Sequence, residues 1–133
     1  MDDSRVKLKV PNKVSSFVLP LGITINMDGT ALFQAVAAIF IAQIYGVPLS
    51  LSSYGLIVIL SLIASIGAAA IPSAGLITLA IILTAIGVPI DGIAIILGID
   101  RILDMMRTTV NLWGNTIASL IITKWLGLKA YND

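Results

Sequence analysis

Five polar side chains lie on one face of an otherwise apolar segment near the carboxyl end of this 133-residue chain. At about 100° per residue of an α-helix, they fall within an arc of about 80°. Arg107 offers a planar fork that matches a carboxylate, and Asp104, one turn earlier, can receive an ammonium group. Amide oxygens suit a small hard cation. The pattern indicates a site for a polar solute or an ion, formed by Asp100, Asp104, Arg107, Asn111 and Asn115.

A structural role for the same stripe is the alternative. Asp104 and Arg107 are spaced i, i+3 and could form an ion pair, while the asparagines could join neighbouring helices. That interpretation leaves unexplained a second polar segment, Asn-Met-Asp-Gly-Thr at 26–30.

This second segment interrupts the apolar stretch 14–47. Asn and Asp are costly in hydrocarbon, and irregular backbone at membrane depth is tolerated only where it faces protein or a cavity. The pattern therefore predicts a broken helix with arms at 14–21 and 31–45, whose unwound part lines a site.

Two short apolar stretches, 54–64 and 76–86, flank the small-residue segment 65–75, which contains one proline. Eleven helical residues cover roughly 16 Å, about half of the hydrocarbon thickness. Short interrupted segments of this type mark transporter binding sites, so we predict a re-entrant helical hairpin. One long kinked helix over 54–86 is the alternative.

The composition indicates a membrane protein. The chain is 58% hydrophobic and 11% charged, whereas soluble domains carry about 25% charged residues. It contains no Cys and no His, which excludes thiol and imidazole chemistry, and no phosphate-binding loop or convergent carboxylate pair indicates an enzyme. The net charge of +1 gives no reason to expect nucleic-acid binding. Basic residues cluster at both ends, so both termini are predicted to be cytoplasmic.

Three motifs, in this order along the chain, resemble the dicarboxylate/amino acid:cation symporter family, which includes the glutamate and aspartate transporters. They are 19–32 around Asn-Met-Asp-Gly-Thr, the small-residue run 64–75, and 102–111, Ile-Leu-Asp-Met-Met-Arg-Thr-Thr-Val-Asn. The resemblance implies an all-α membrane protein, the C-terminal part of an elevator-type transport domain. Its expected parts are a basic cytoplasmic lead-in at 1–13, a broken transmembrane helix at 14–47, a loop and re-entrant hairpin at 48–89, a final transmembrane helix at 90–126 and a cytoplasmic tail at 127–133.

The resemblance also implies roles for individual residues. Arg107 would bind the side-chain carboxylate of the substrate and Asp104 its amino group, while the hairpin near Gly75 would close as a gate. The implied substrate-binding residues are Thr30, Ile71, Gly75, Asp104, Arg107, Thr108 and Asn111. The implied cation ligands are Gly22, Thr24, Asn26, Asp28, Ser65, Ile66, Ala68, Asn111 and Asn115.

Two departures bear on coupling. Asn115 stands where sodium-coupled members carry Asp, and Gln34 stands where animal members carry a Glu linked to proton and potassium coupling. The coupling cation is therefore Na⁺ or H⁺, potassium counter-transport is not expected, no other cofactor is implied, and the chain is interpreted as prokaryotic.

The predicted function is secondary active symport of glutamate or aspartate, with this chain as a fragment that is inactive alone. A C4-dicarboxylate symporter fragment and a non-transporting membrane scaffold are the alternatives. Asp104 favours an amino acid, because without an ammonium partner it would repel a second carboxylate. The expected setting is the inner membrane, with several passes through the lipid bilayer and a homotrimeric full-length protein.

Overall fold

The computed structural model describes residues 14, 16–17, 20–22, 26–67 and 74–127. Helices make up most of these ranges and no strand occurs within them, which confirms the all-α prediction for this part of the chain. Residues 20–22 are helical. The following elements are α1 (Asp28–Ile44), α2 (Leu51–Gly67), α3 (Ala74–Ala85), a 3₁₀ turn (Ile90–Gly92), α4 (Ile93–Leu97) and α5 (Asp100–Trp125).

The polar segment at 26–30 contains the start of α1. Asn26 and Met27 are not helical, and Met27 has φ −113° and ψ 53°. The helix then begins at Asp28, three residues before the predicted arm. A carboxylate in the first turn is favourable because the N-terminal end of a helix carries partial positive charge.

The core lies between α1, α2 and α3. Ile41 of α1, Ile57 of α2 and Leu79 of α3 are fully buried members of one apolar cluster. The helices α2 (17 residues) and α3 (12 residues) contact each other, and both contact α1. They correspond to the predicted hairpin arms, and the tip at 68–73 lies outside the described residues.

The stretch predicted as one final helix is divided into a 3₁₀ turn, α4 and the 26-residue α5. The division falls at Gly98 and Ile99, where Ile99 has φ −116° and ψ 0°. Glycine is a poor helix former, and Asp100 then provides an acidic first turn for α5. Helix α5 packs against α1, and Asn111 and Asn115 of its polar stripe accept hydrogen bonds from Gly29 and Asn26 at the start of α1.

Large apolar side chains remain exposed on the rest of α5, among them Ile102, Met105 and Trp113. Within the described part of the chain, no helix combines the length and the hydropathy needed to cross a membrane.

Candidate functional site

The first turn of α1 is joined to the middle of α5 by one asparagine. The backbone N–H of Gly29 donates to Oδ1 of Asn111 at 2.8 Å, and Nδ2 of Asn111 donates to Oγ1 of Thr30 at 3.3 Å. The first N–H groups of a helix have no partner within the helix. Asn111 therefore caps α1 from a different helix and holds Thr30 beside the stripe.

Glycines permit this close crossing. A Cβ on Gly29 would lie 2.5 Å from the carbonyl oxygen of Arg107. A Cβ on Gly114 would lie 2.8 Å from Oδ2 of Asp28. Each helix thus has a glycine where the other approaches, so the polar groups on both can meet.

Arg107 is the central charged group of the site. It is only 7% exposed, and its Nη2 donates to the carboxylate of Asp104 and lies 3.9 Å from Oδ1 of Asp100. The guanidinium carbon lies 4.5 Å from the centroid of the Phe33 ring, a cation–π contact. Its Nη1 has no hydrogen-bond partner among the described residues. A buried N–H without a partner is costly, so this guanidinium suits an anionic ligand.

The surroundings of Arg107 are mostly apolar. A cavity of about 340 Å³ between α1, α4 and α5 has Arg107 in its wall, together with Leu32, Phe40 and Met106. Low polarity strengthens the attraction between opposite charges. Asp104, in contrast, keeps 43% of its side chain exposed and can be reached by a ligand.

A second polar group surrounds Asn26. Its amide lies between Oδ1 of Asn115 at 3.0 Å and the two carboxylate oxygens of Asp28 at 2.9 and 3.1 Å. Gly22 completes this group, because a Cβ there would lie 2.5 Å from Oδ1 of Asn115. One amide NH₂ cannot satisfy both sides, so when it donates to Asn115 its oxygen faces the carboxylate. Turning both amides lets Asn26 donate to Asp28 and accept from Asn115.

This second group combines the amide oxygens of Asn26 and Asn115 with the two carboxylate oxygens of Asp28. Among the described residues, no three acidic side chains gather in one place. A cation bound here would therefore be held by one carboxylate and neutral oxygens, a set that suits a monovalent ion better than a divalent one.

Some predicted site residues are not joined to these two groups. Thr108 is exposed, Ile66 is 55% exposed, and Ser65 donates to the carbonyl of Leu62 in its own helix at 2.8 Å. No hydrogen bond between described residues links them to the groups around Arg107 or Asn26. Gly75, by contrast, is the second residue of α3 and lies directly against the Arg107 guanidinium. The predicted residues Thr24, Ala68 and Ile71 lie outside the described residues.

Neither Phe33 nor Gln34 was predicted as a site residue, although the structure links both to Arg107, Phe33 directly and Gln34 through α3. Phe33 stacks on Arg107, and Gln34 is fully buried and donates to Thr78. An amide in the middle of an apolar helix is a signal that could have identified Gln34, because buried polar groups need partners. No sequence pattern distinguishes Phe33 from other apolar residues of α1.

Comparisons with known proteins agree with the motifs. Residues 1–125 match the Sodium:dicarboxylate symporter family. The proton/sodium-glutamate symport protein of Bacillus caldotenax is 44% identical over 131 residues, which cover 98% of this chain and 31% of that protein. The proton/glutamate-aspartate symporter of Escherichia coli strain K12 is 44% identical over 86% of this chain and 26% of its own length. Excitatory amino acid transporter 3 of Mus musculus is 48% identical over 89% of this chain and 23% of its own length.

The chain thus spans less than a third of the length of these relatives. The match nevertheless covers nearly all of this chain and includes the Asn-Met-Asp-Gly-Thr segment and the polar stripe. The chain therefore belongs to the sodium:dicarboxylate symporter family, whose members are membrane transporters and not enzymes.

Proposed function

We propose that this segment carries the substrate site of a secondary active symporter for an acidic amino acid, glutamate or aspartate. The observation that carries the proposal is the buried Arg107, whose Nη1 has no hydrogen-bond partner among the described residues. A planar guanidinium in apolar surroundings favours a carboxylate over a neutral side chain. Two relatives, a proton/sodium-glutamate symport protein and a proton/glutamate-aspartate symporter, support this choice.

Asp104 supports an amino acid as the substrate. Its carboxylate accepts from Arg107 and is 43% exposed on its other side, so it can also accept from an ammonium group. A second carboxylate at this position would be repelled by Asp104. Thr30 and Asn111 supply a hydroxyl and an amide next to Arg107, and Thr108 borders the stripe on α5.

We expect the coupling cation to bind near Asn26. Asp28 supplies the one carboxylate of that group, Asn115 and Asn26 supply amide oxygens, and Gly22 lies against Asn115. Asn111 connects this group to the substrate residues through Gly29. The cation is Na⁺ or H⁺, as in the proton/sodium-glutamate relatives.

A further cation position is proposed where the hairpin closes, with backbone oxygens of Thr24, Ser65, Ile66 and Ala68. The hairpin would close over the substrate through Gly75 and the backbone at Ile71. If substrate and cation both favour the closed hairpin, each raises the affinity of the other. This reciprocity is the proposed coupling mechanism.

The whole transporter is proposed to be a trimer of the elevator type in the inner membrane, with both ends of this segment in the cytoplasm. The basic residues at both ends of the sequence support this orientation. The segment would form the C-terminal part of the mobile domain, and the rest of each relative's length would supply the remainder.

A chimera tests the function. This chain replaces the matching 31% of the Bacillus caldotenax transporter, and uptake of aspartate, glutamate, succinate and serine is measured in proteoliposomes. We expect concentrative uptake of the two acidic amino acids, driven by a sodium or a proton gradient. Uptake of succinate in preference to both would favour a dicarboxylate carrier. A chimera that reaches the membrane but binds none of the four would refute the proposal.

A further inference from the structure

Gln34 is a buried amide in the apolar interior of α1. It is 0% exposed, as are Ala38 and Ile41 one and two turns later on the same side of the helix. Burying an amide costs free energy unless it is hydrogen-bonded. The partner of Gln34 therefore has to be an energetically important contact.

That partner lies on α3, next to the substrate site. Nε2 of Gln34 donates to Oγ1 of Thr78, 44 residues later in the chain. Oγ1 of Thr78 donates in turn to the carbonyl oxygen of Gly75 at 3.1 Å. Gly75 lies so close to Arg107 that an added Cβ would overlap Nη1. This relay connects the interior of α1 with the first turn of α3, directly beside the guanidinium.

The relay requires a donor at position 34. The Thr78 hydroxyl carries one proton, which the Gly75 carbonyl accepts, so Thr78 can only accept from Gln34. The other end of the Gln34 amide, Oε1, has no hydrogen-bond partner among the described residues. The bond to Thr78 is thus the contact that orients the Gln34 side chain.

We propose that Gln34 is a positioning residue for substrate binding: through Thr78 it fixes the start of α3 against Arg107. It touches neither the substrate nor the cation, and it acts by setting the distance between α3 and the guanidinium. The expected change in substrate affinity rests on the proposed function. The placement of α3 against Arg107 by Gln34 does not depend on transport.

Substrate affinity in the chimera tests the consequence. We expect Gln34→Leu to raise the Kd for aspartate about tenfold, the effect of losing one net hydrogen bond. Thr78→Val loses the bonds to both Gln34 and Gly75 and should raise the Kd at least as much. The double variant should be no worse than the worse single variant, because both substitutions remove the Gln34–Thr78 bond and only Thr78→Val also removes the Thr78–Gly75 bond. Thr78→Ser keeps the hydroxyl and should restore affinity to within about threefold of the parent. Additive losses, or no recovery with Thr78→Ser, would overturn the proposal.

Ser61→Ala is the matched control. Ser61 is also buried, at 2% exposed, and lies on the other hairpin arm, but its hydroxyl has no hydrogen-bond partner among the described residues. Its replacement removes a buried polar group without removing a link to α3. The Kd of the Ser61→Ala variant for aspartate should stay within about twofold of the parent. If Ser61→Ala lowers the affinity as much as Gln34→Leu does, the effect is one of general packing.

A distance measurement tests the position of α3 directly. Spin labels are placed at Ile44 of α1 and Ile77 of α3, which are 48% and 68% exposed in this segment, in a cysteine-free chimera. The distance distribution should be narrow in the parent and broader or shifted in Gln34→Leu. Unchanged distances in Gln34→Leu would overturn the proposal even if affinity falls.

The two failures are distinguishable. A parent chimera that binds no acidic amino acid refutes the proposed function, while the spin-label distances still decide whether Gln34 positions α3. A chimera that binds aspartate and shows no change on removal of the Gln34 bond refutes only the positioning role.

Discussion

Gly29→Ala is the substitution for which the structure gives the sharpest expectation. The added Cβ would lie 2.5 Å from the backbone oxygen of Arg107, 3.0 Å from Cβ of Val110 and 3.1 Å from Oδ1 of Asn111. Carbon–oxygen contacts are ordinarily about 3.3–3.6 Å. The tightest contact is to backbone in a helix, which cannot rotate away as a side chain can. Helix α5 must therefore move away from α1 by several tenths of an ångström.

This movement has two costs. Overpacking costs about 1–3 kcal/mol. Weakening the 2.8 Å bond from Gly29 N–H to Asn111 leaves a buried donor poorly satisfied, at a further cost of about 1–3 kcal/mol. The two costs are not independent, because moving α5 away relieves the overpacking but weakens the Gly29–Asn111 bond. We therefore expect a total cost of about 2–4 kcal/mol. If the movement of α5 displaces Arg107 and the whole cost falls on substrate binding, the Kd for aspartate rises about 30- to 1000-fold, because about 1.4 kcal/mol corresponds to a tenfold change in Kd.

Equilibrium binding of aspartate to the purified chimera measures this loss, with Gly55→Ala as the matched control. Gly55 lies within α2, and a Cβ there meets nothing within 4 Å. Alanine should therefore be tolerated at Gly55, with a gain of about 0.5–1 kcal/mol in helix stability. A Kd for Gly29→Ala within threefold of the parent would refute the crossing geometry. An equal loss in both variants would show that the effect is not local to the α1–α5 contact.

Three further expectations use the same chimera or the chain itself. Arg107→Ala should weaken aspartate binding by at least about 100-fold and leave serine binding within about fivefold of the parent, since only the acidic substrate loses a buried ion pair. Unchanged selectivity for aspartate over serine would overturn the proposed role of Arg107. Asn115→Asp adds a second carboxylate next to Asn26 and should lower the sodium concentration for half-maximal uptake about tenfold, whereas equal sodium dependence of both forms would refute a role for this position. The 133-residue chain reconstituted alone should give no concentrative uptake of aspartate, because it corresponds to 31% of the Bacillus caldotenax transporter; measurable accumulation would contradict this.

The sequence predicts the helical faces of this protein well. The period of the polar stripe places Arg107 and Asn115 on one side of α5, and both are buried in the structure. The same period includes Asp104, which is partly exposed, and Thr108, which is exposed at the border of the stripe. Periodicity specifies which side chains share a face, whereas the depth of burial depends on what covers that face.

Partners between distant segments could not be predicted in the same way. Asn111 caps α1 at Gly29 across 82 residues, and Gln34 bonds Thr78 across 44. Such contacts depend on how two helices cross, and no local pattern records the crossing. The start of α1 shows the consequence: the sequence placed the arm at residue 31, but an acceptor from α5 lets the helix begin at Asp28.

The group around Asn26 connects this geometry to ion coupling. With an amide at Asn115, one arrangement of both amides satisfies Asn26, Asn115 and the Asp28 carboxylate by hydrogen bonds alone. An aspartate at 115 offers no donor, so Asn26 would face two carboxylates with a single NH₂ group. With aspartate at 115, the group should need a cation or a proton to be stable, whereas with asparagine it should not. We therefore expect the identity of residue 115 to set how strongly an ion is required when α1 and α5 are in contact, and sodium dependence to change with it.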